Sequence, residues 1–191
     1  MMKIAIDIGH AHGTGSCVNG LDEHTIATRV AEQLFAELTK LGHSVQVIDF
    51  PDASNASDLS RTIELANRVG FDVGLSLHCD CASHSAARGA HVCYYRRYHG
   101  QSFTDSASGK VLAECIAAQL CPFMSGRANA IQARPDKSRQ LSGLAILSQT
   151  YMPWVLIELG FLSNEQDARI LKDSPHILAR LIAKGIDNYL N

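Results

Sequence analysis

The 191 residues predict an α/β fold, a three-layer α/β/α sandwich around a mostly parallel, mixed sheet of about six strands. Two observations lead there. Short apolar runs rich in β-branched residues alternate, from one end of the chain to the other, with longer segments whose apolar residues recur every three or four positions. Glycines close the helical segments just before the next apolar run, as Gly42 and Gly70 do. With 46% hydrophobic and 19% charged residues, no repeat and no low-complexity tract, the expectation is one catalytic domain over residues 1–191.

The elements are read in chain order. Residues 3–9 read as a strand whose apolar run is interrupted by Asp7. A Gly-rich loop leads to a helix from Glu23 to Leu41, with Ile26, Val30, Leu34 and Leu38 on one face. His43 to Phe50 is the second strand, Asp58 to Val69 a helix, Phe71 to His78 the third strand and Gly89 to Tyr95 an aromatic fourth. A helix runs from Gly109 to Leu120 and is expected to stop at Pro122. Residues 123–143 read mostly as loop, Leu144 to Ser148 and Trp154 to Leu159 as the last strands, and Glu165 to Leu171 and Pro175 to Leu190 as helices.

Glu158 is the most informative residue. It interrupts the apolar run Trp154 to Leu162, which reads as a strand buried on both faces. An ionised carboxylate there has to be paired with a base, linked to a metal or partly protonated. A structural ion pair and an acid/base role are equally compatible with Glu158 taken alone. Its position adds something, because His10 and His78 also fall at or near strand ends. In parallel α/β sheets ligands bind outside the carboxyl ends of the strands. His10, Glu23 and His78 would give zinc three ligands and leave a fourth position open. The dispersed spacing proves little by itself, and Glu23 also fits a plain first-turn acid favoured by the helix dipole.

Other residues compete for the same chemistry. His78-Cys79-Asp80-Cys81-Ala82-Ser83-His84 suggests a compact Cys/His metal site. In a strand, however, His78 and Asp80 point one way and Cys79 and Cys81 the other, so both cysteines read as small buried hydrophobes. His24 points about 100° away from Glu23 around the helix. His12, His84, His91 and His99 read as surface histidines. Tyr94, Tyr95 and Tyr98 with Arg96 and Arg97 fit either a groove border or a strand-edge cluster.

A formal charge of −2 argues against general nucleic-acid binding, and no apolar run is long enough for membrane insertion. Between Arg88 and Arg139 eight basic residues outweigh three acids, a surplus that suits an anionic ligand or a solvated surface. The six cysteines, with no export signal after Met1-Met2-Lys3, suggest free thiols.

The motifs together resemble a known family. Ile6-Asp7-Ile8-Gly9-His10 is similar to the opening metal motif of the zinc-dependent N-acetylmuramoyl-L-alanine amidases of type 3, and Glu23 falls where their second ligand is expected. Leu59, Arg61, Ala66 and Asn67 match the helix before the third strand. Leu75-Ser76-Leu77-His78 matches the strand of the third ligand, and Gly89 to Tyr95 and Leu144 to Leu147 match later strands. Pro153, then Val155 through Asn164 with Glu158 inside, resembles the family's most specific motif. The sequence departs from the family at Ala11-His12-Gly13, where two glycines are common, and at Asp80, where Asn is usual. An Arg often found after the second strand is absent around Asp49-Phe50. These departures bear on substrate preference and rate.

The resemblance implies zinc on His10, Glu23 and His78, with Glu158 as catalytic acid/base. It also implies cleavage of the amide between N-acetylmuramic acid and the first L-alanine of the peptidoglycan stem peptide. A zinc peptidase cutting inside the stem uses the same chemistry, and a non-catalytic wall-binding or regulatory module is the alternative of another class. A redox role lacks any CxxC pair. The expected place of action is the cell wall, periplasmic or extracellular. With no signal peptide visible, a phage or prophage-type lysin is expected, and a trimmed secreted enzyme would read the same. Oligomeric state is not legible.

Overall fold

The computed structural model describes residues 1–18, 20–100, 102–135 and 143–190. Strand β1 (Lys3–Ile8) leads through a small ribbon, β2 (Cys17–Val18) and β3 (Leu21–Asp22), into helix α1 (Glu23–Lys40). Then come β4 (Ser44–Ile48), α2 (Asn55–Val69), β5 (Val73–Asp80) and a hairpin of β6 (His91–His99) and β7 (Ser102–Asp105). The chain continues through α3 (Ala107–Phe123), β8 (Ile131–Pro135), α4 (Ala145–Gln149) and β9 (Trp154–Phe161), and closes with α5 (Glu165–Asp173) and α6 (Pro175–Leu190).

The main sheet has seven strands in the order β4-β1-β5-β9-β6-β7, with β8 also paired to β6. The first four are mutually parallel, and β6 runs antiparallel to β9. The expected α/β/α sandwich around a mixed, mostly parallel sheet is therefore observed. Helices α1, α3 and α6 cover one face over Ile4, Ile6, Leu75, Leu77, Val155 and Ile157. Helices α2 and α4 cover the other, against Ala5, Ile48, Trp154 and Leu156.

Several segments differ from the sequence reading: the β2–β3 ribbon and β7 are unexpected, and β6 runs on to His99 past Tyr95. Residues 131–135, expected as loop, form β8, a short half-buried strand whose ladder comes from β6. Nothing local announces it, because its pairing partner is distant in sequence. Residues 144–148, expected as a strand, carry helix α4 instead. Both flanks of β9 are already occupied by β5 and β6, so this apolar segment finds no ladder and caps the sheet face with Ile146 and Leu147. Pro122 lies inside the last turn of α3 rather than before it, one residue from the helix end.

Helix starts are capped as the residue types dictate. Asp22 accepts from the Thr25 N–H at α1, Ser54 from Ser57 at α2 and Asn164 from Gln166 and Asp167 at α5. Helices α3 and α6 approach so closely that a Cβ on Gly185 would lie 2.5 Å from Ile116 Cα. Backbone cannot yield as a side-chain tip can, so Gly185→Ala is expected to destabilise by about 1–3 kcal/mol through overpacking. Urea denaturation should show a lower midpoint with an unchanged slope.

Candidate metal centre

Strands β1 and β5 are parallel neighbours, with Ile8 opposite Leu77, so both chain segments leave the sheet at one rim. Gly9 N–H extends the ladder by one bond to the Leu77 carbonyl, 3.0 Å. His10 then adopts φ 63°, the only positive φ of a non-glycine residue among those described. Such a left-handed residue costs roughly 1–2 kcal/mol, a strain of the kind found where geometry is dictated by a site. The turn brings the His10 ring edge-on to His78, with centroids 4.9 Å apart and planes at 81°. His10 Nδ1 lies 3.0 Å from Asn55 Oδ1 at the start of α2. With Nδ1–H donating to that oxygen, Nε2 keeps its lone pair for an ion.

Glu23 enters from the first turn of α1 and is only 2% exposed. Its Oε1 lies 3.1 Å from His78 Nδ1 and 3.6 Å from His10 Nε2, and accepts from the Cys79 N–H at 3.0 Å. Oε2 accepts from the Ser16 N–H at 2.8 Å. Burial by itself pushes this carboxyl's pKa up, but the hydrogen bonds from His78, Cys79 and Ser16 outweigh it and hold the pKa below the usual value. Burial likewise pushes His78 down, and Glu23 and the Glu158 charge more than reverse that.

One potential ligand atom from each of His10, Glu23 and His78 lies within 4.8 Å of the others. Two glycines hold the space open. A Cβ on Gly9 would meet the His78 ring at 2.3 Å, and one on Gly15 would meet Glu23 Oε2 at 2.9 Å. Two imidazoles and a carboxylate are a donor set that fits a zinc ion with an open fourth position.

Glu158 stands beside this cluster, directly opposite His78 in the β5–β9 register. Its Oε2 is buried with no hydrogen-bond partner among the described residues. Burial pushes its pKa up to about 7, against the opposing pull of His78. On its other side lies His91, its cross-strand neighbour, 1% exposed. Burial, with Arg127 and Arg134 nearby, lowers the pKa of His91 to about 3, so it is uncharged at neutral pH. His10, His78 and Glu158 line one end of a cleft of about 270 Å³ whose other walls come from α2, α4 and the strand floor.

Beneath the histidines, Asp7 accepts from the hydroxyls of Ser76 at 2.6 Å and Thr62 at 3.1 Å, and Trp154 Nε1–H donates to Ser76 Oγ at 2.9 Å. The sequence marks Asp7 as a break in a strand and as part of the motif that ends at His10, with no role of its own. Asn55 and Asp58, which also line the cleft, carry no local signal, since polar residues at a helix start are ordinary.

The other candidates disperse. Cys79 is buried as expected, but Cys81 is exposed, because it lies past the end of β5 and past an irregularity in the ladder after His78. His91, read as a surface histidine, is buried; His24 points away from Glu23 as expected and is buried, with Nε2 3.1 Å from Asp49 Oδ1. Because β6 is antiparallel to β9, Tyr98, Arg96 and Arg97 lie towards the opposite rim from Glu158. Of the basic segment, Arg96 and Lys110 pair with Asp105, and Arg127 sits 3.7 Å from Asp80. Asp136, Lys137 and Arg139 lie outside the described residues.

A sequence profile of the N-acetylmuramoyl-L-alanine amidases matches residues 4–188. The chain belongs to this family. Among its relatives, the amidase CwlM of Bacillus licheniformis is 27% identical over all of this chain and 70% of its own length. The germination-specific amidase of Bacillus subtilis is 26% identical over 97% of this chain and 78% of its own. The catalytic domain of the CD27L endolysin, which targets Clostridia difficile, superposes with a TM-score of 0.80, 26% identity and 98% coverage of both chains. The CwlD amidase of Clostridioides difficile, seen with the GerS lipoprotein, gives 0.82 at 22% identity, covering 100% of this chain and 98% of its own.

Two outcomes are expected of this amidase. Gly9→Ala drives a methyl into the His78 ring, so the affinity of this candidate cluster for added zinc, by competition with a chelator, should fall about 10-fold or more with the fold retained by circular dichroism. Burial also lifts the Asp58 pKa from 3.8 to about 6. The folded state therefore holds a proton that the unfolded chain releases, and stability falls as pH rises through that window. Asp58→Asn removes this effect, so its melting temperature relative to wild type should climb across the window and level off above it.

Proposed function

We propose that the chain is a zinc-dependent N-acetylmuramoyl-L-alanine amidase in which His10, Glu23 and His78 hold the ion and Glu158 is the catalytic acid/base, with residues 1–191 working as one catalytic domain. Family membership supplies the reaction: hydrolysis of the amide joining the lactyl group of N-acetylmuramic acid to L-alanine of the peptidoglycan stem peptide. The observation that carries the residue assignment is the closeness of three ligand atoms of suitable chemistry to a buried, unpartnered carboxylate.

A bound zinc ion supplies Lewis acidity, polarising a carbonyl and making a water more acidic. The chain's residues do the rest. Glu23 stays ionised because its hydrogen bonds outweigh its burial, so it offers charge to a cation without a proton competing. Asn55 orients His10 through Nδ1, and Asp7 lies under His78 in the strand floor. Glu158, with a pKa near 7, is suited to accept a proton from the attacking water and return it to the departing L-alanine nitrogen. The half-enclosed cleft limits solvent around that exchange. No helix among the described residues is long and apolar enough to cross a membrane, and the substrate places the reaction at the cell wall.

Glu158→Gln keeps shape and removes the proton carrier. Amidase activity on purified peptidoglycan should drop by about 10²-fold or more while zinc still binds. Mass spectrometry of the wild-type digest should find stem peptides with a free N-terminal L-alanine; fragments cut inside the stem would instead mark a peptidase. Metal analysis should find about one zinc per chain, lost in His10→Ala and His78→Ala and retained in the Cys79→Ala, Cys81→Ala double variant. The reverse pattern would move the metal to the cysteines.

A further inference from the structure

The cleft beside the metal centre has a second end that the hydrolysis does not use. Its walls there are Leu59 of α2, Leu144 and Ile146 at α4, and Leu156 of β9, and its polar groups are Asp7 and Asp58. Among the described residues no Lys or Arg contributes to the lining, and the two histidines that do are engaged by Glu23 and Asn55. Asp7 is satisfied by two hydroxyls. Asp58 differs: it is 5% exposed, it lines the cleft, and its Oδ1 is buried with no hydrogen-bond partner among the described residues.

A buried carboxylate oxygen without a donor is unfavourable and is rarely retained unless something supplies the missing partner. A carboxylate accepts only, so the missing partner is a donor; no Lys or Arg among the described residues lines the cleft to match the charges of Asp7 and Asp58, and an ammonium supplies both the hydrogen bond and the charge. The walls indicate what carries that cation. They are aliphatic throughout with no aromatic ring, which suits a methylene chain rather than the face of a sugar. We propose that this end of the cleft is a specificity subsite for an alkylammonium side chain of the peptide substrate. Its methylene stem lies against Leu59, Leu144, Ile146 and Leu156, and its ammonium donates to the Asp58 carboxylate. The assignment rests on the amidase reading for the identity of the substrate, a peptide amide-linked to muramic acid.

Two soluble muramoyl-tripeptides that differ only at the third residue test it, one with lysine and one with norleucine, which keeps the four-carbon stem and lacks the ammonium. Wild-type kcat/KM should favour the lysine substrate by about tenfold or more, as for a buried charge-assisted hydrogen bond. In Asp58→Asn the preference should shrink to about twofold or less, through loss on the lysine substrate. Calorimetric titration of the free tripeptides should show the same order of affinities, a readout that needs no turnover. Equal kcat/KM for the two substrates in the wild type overturns the subsite, as does a lysine preference that survives Asp58→Asn. Should that variant not fold, the two wild-type comparisons decide alone. If neither substrate is cleaved, the amidase reading fails, while the calorimetry still shows whether the cleft selects the ammonium.

Discussion

The buried carboxylate of Glu23 is the point on which the rim is assembled. It reaches across from the first turn of α1 and takes hydrogen bonds from the Ser16 and Cys79 backbone while standing between His10 and His78. Those contacts join the loop after β1, the start of α1 and the end of β5. A carboxylate this enclosed is costly unless its lone pairs are filled, and here two backbone donors and the His78 imidazole fill them. Asp22, capping α1, sets the angle at which the next residue projects inward. The two glycines that clear space, Gly9 and Gly15, lie against His78 and Glu23 themselves.

Much of this is legible in the sequence because it depends on period and punctuation. The alternation of apolar runs and amphipathic segments announces a parallel sheet, and the rule that such sheets bind ligands at strand ends draws His10, His78 and Glu158 together. Glu23 needs the family resemblance, since an acid in a first helical turn is unremarkable. The hidden remainder depends on pairing and on side-chain reach. The α4 segment reads as a strand because only the finished sheet shows that β9 has no free flank. The β8 segment reads as loop because its ladder is supplied by β6. Asn55 and Asp58 are polar residues at a helix start, and only the packing of α2 over the strand floor places them in the cleft.

The site also illustrates how function and stability pull apart. His10 sits in a left-handed conformation, Asp58 and Glu158 carry raised pKa values through burial, and His91 has two buried ring nitrogens without hydrogen-bond partners among the described residues. Each is unfavourable in isolation, and all lie at one rim. The remainder of the sheet, from Ile4 and Ile6 across Leu75 and Leu77 to Val155 and Ile157, is apolar and closely packed. A well-packed interior supplies the surplus that lets one edge of the molecule remain under strain.

The wide sequence separation of the proposed ligands has a consequence for assembly. Glu23 and His78 are 55 residues apart, and they meet only when α1 has docked and β5 has paired with β1. An unfolded chain presents no preformed cluster, so a cation has little reason to nucleate folding here, unlike a compact finger whose ligands are a few residues apart. For an ion held there, the order would be scaffold first and ion second. On the proposed assignment an ion would act by mass action on a structure already formed, adding to its stability rather than deciding whether it acquires its shape.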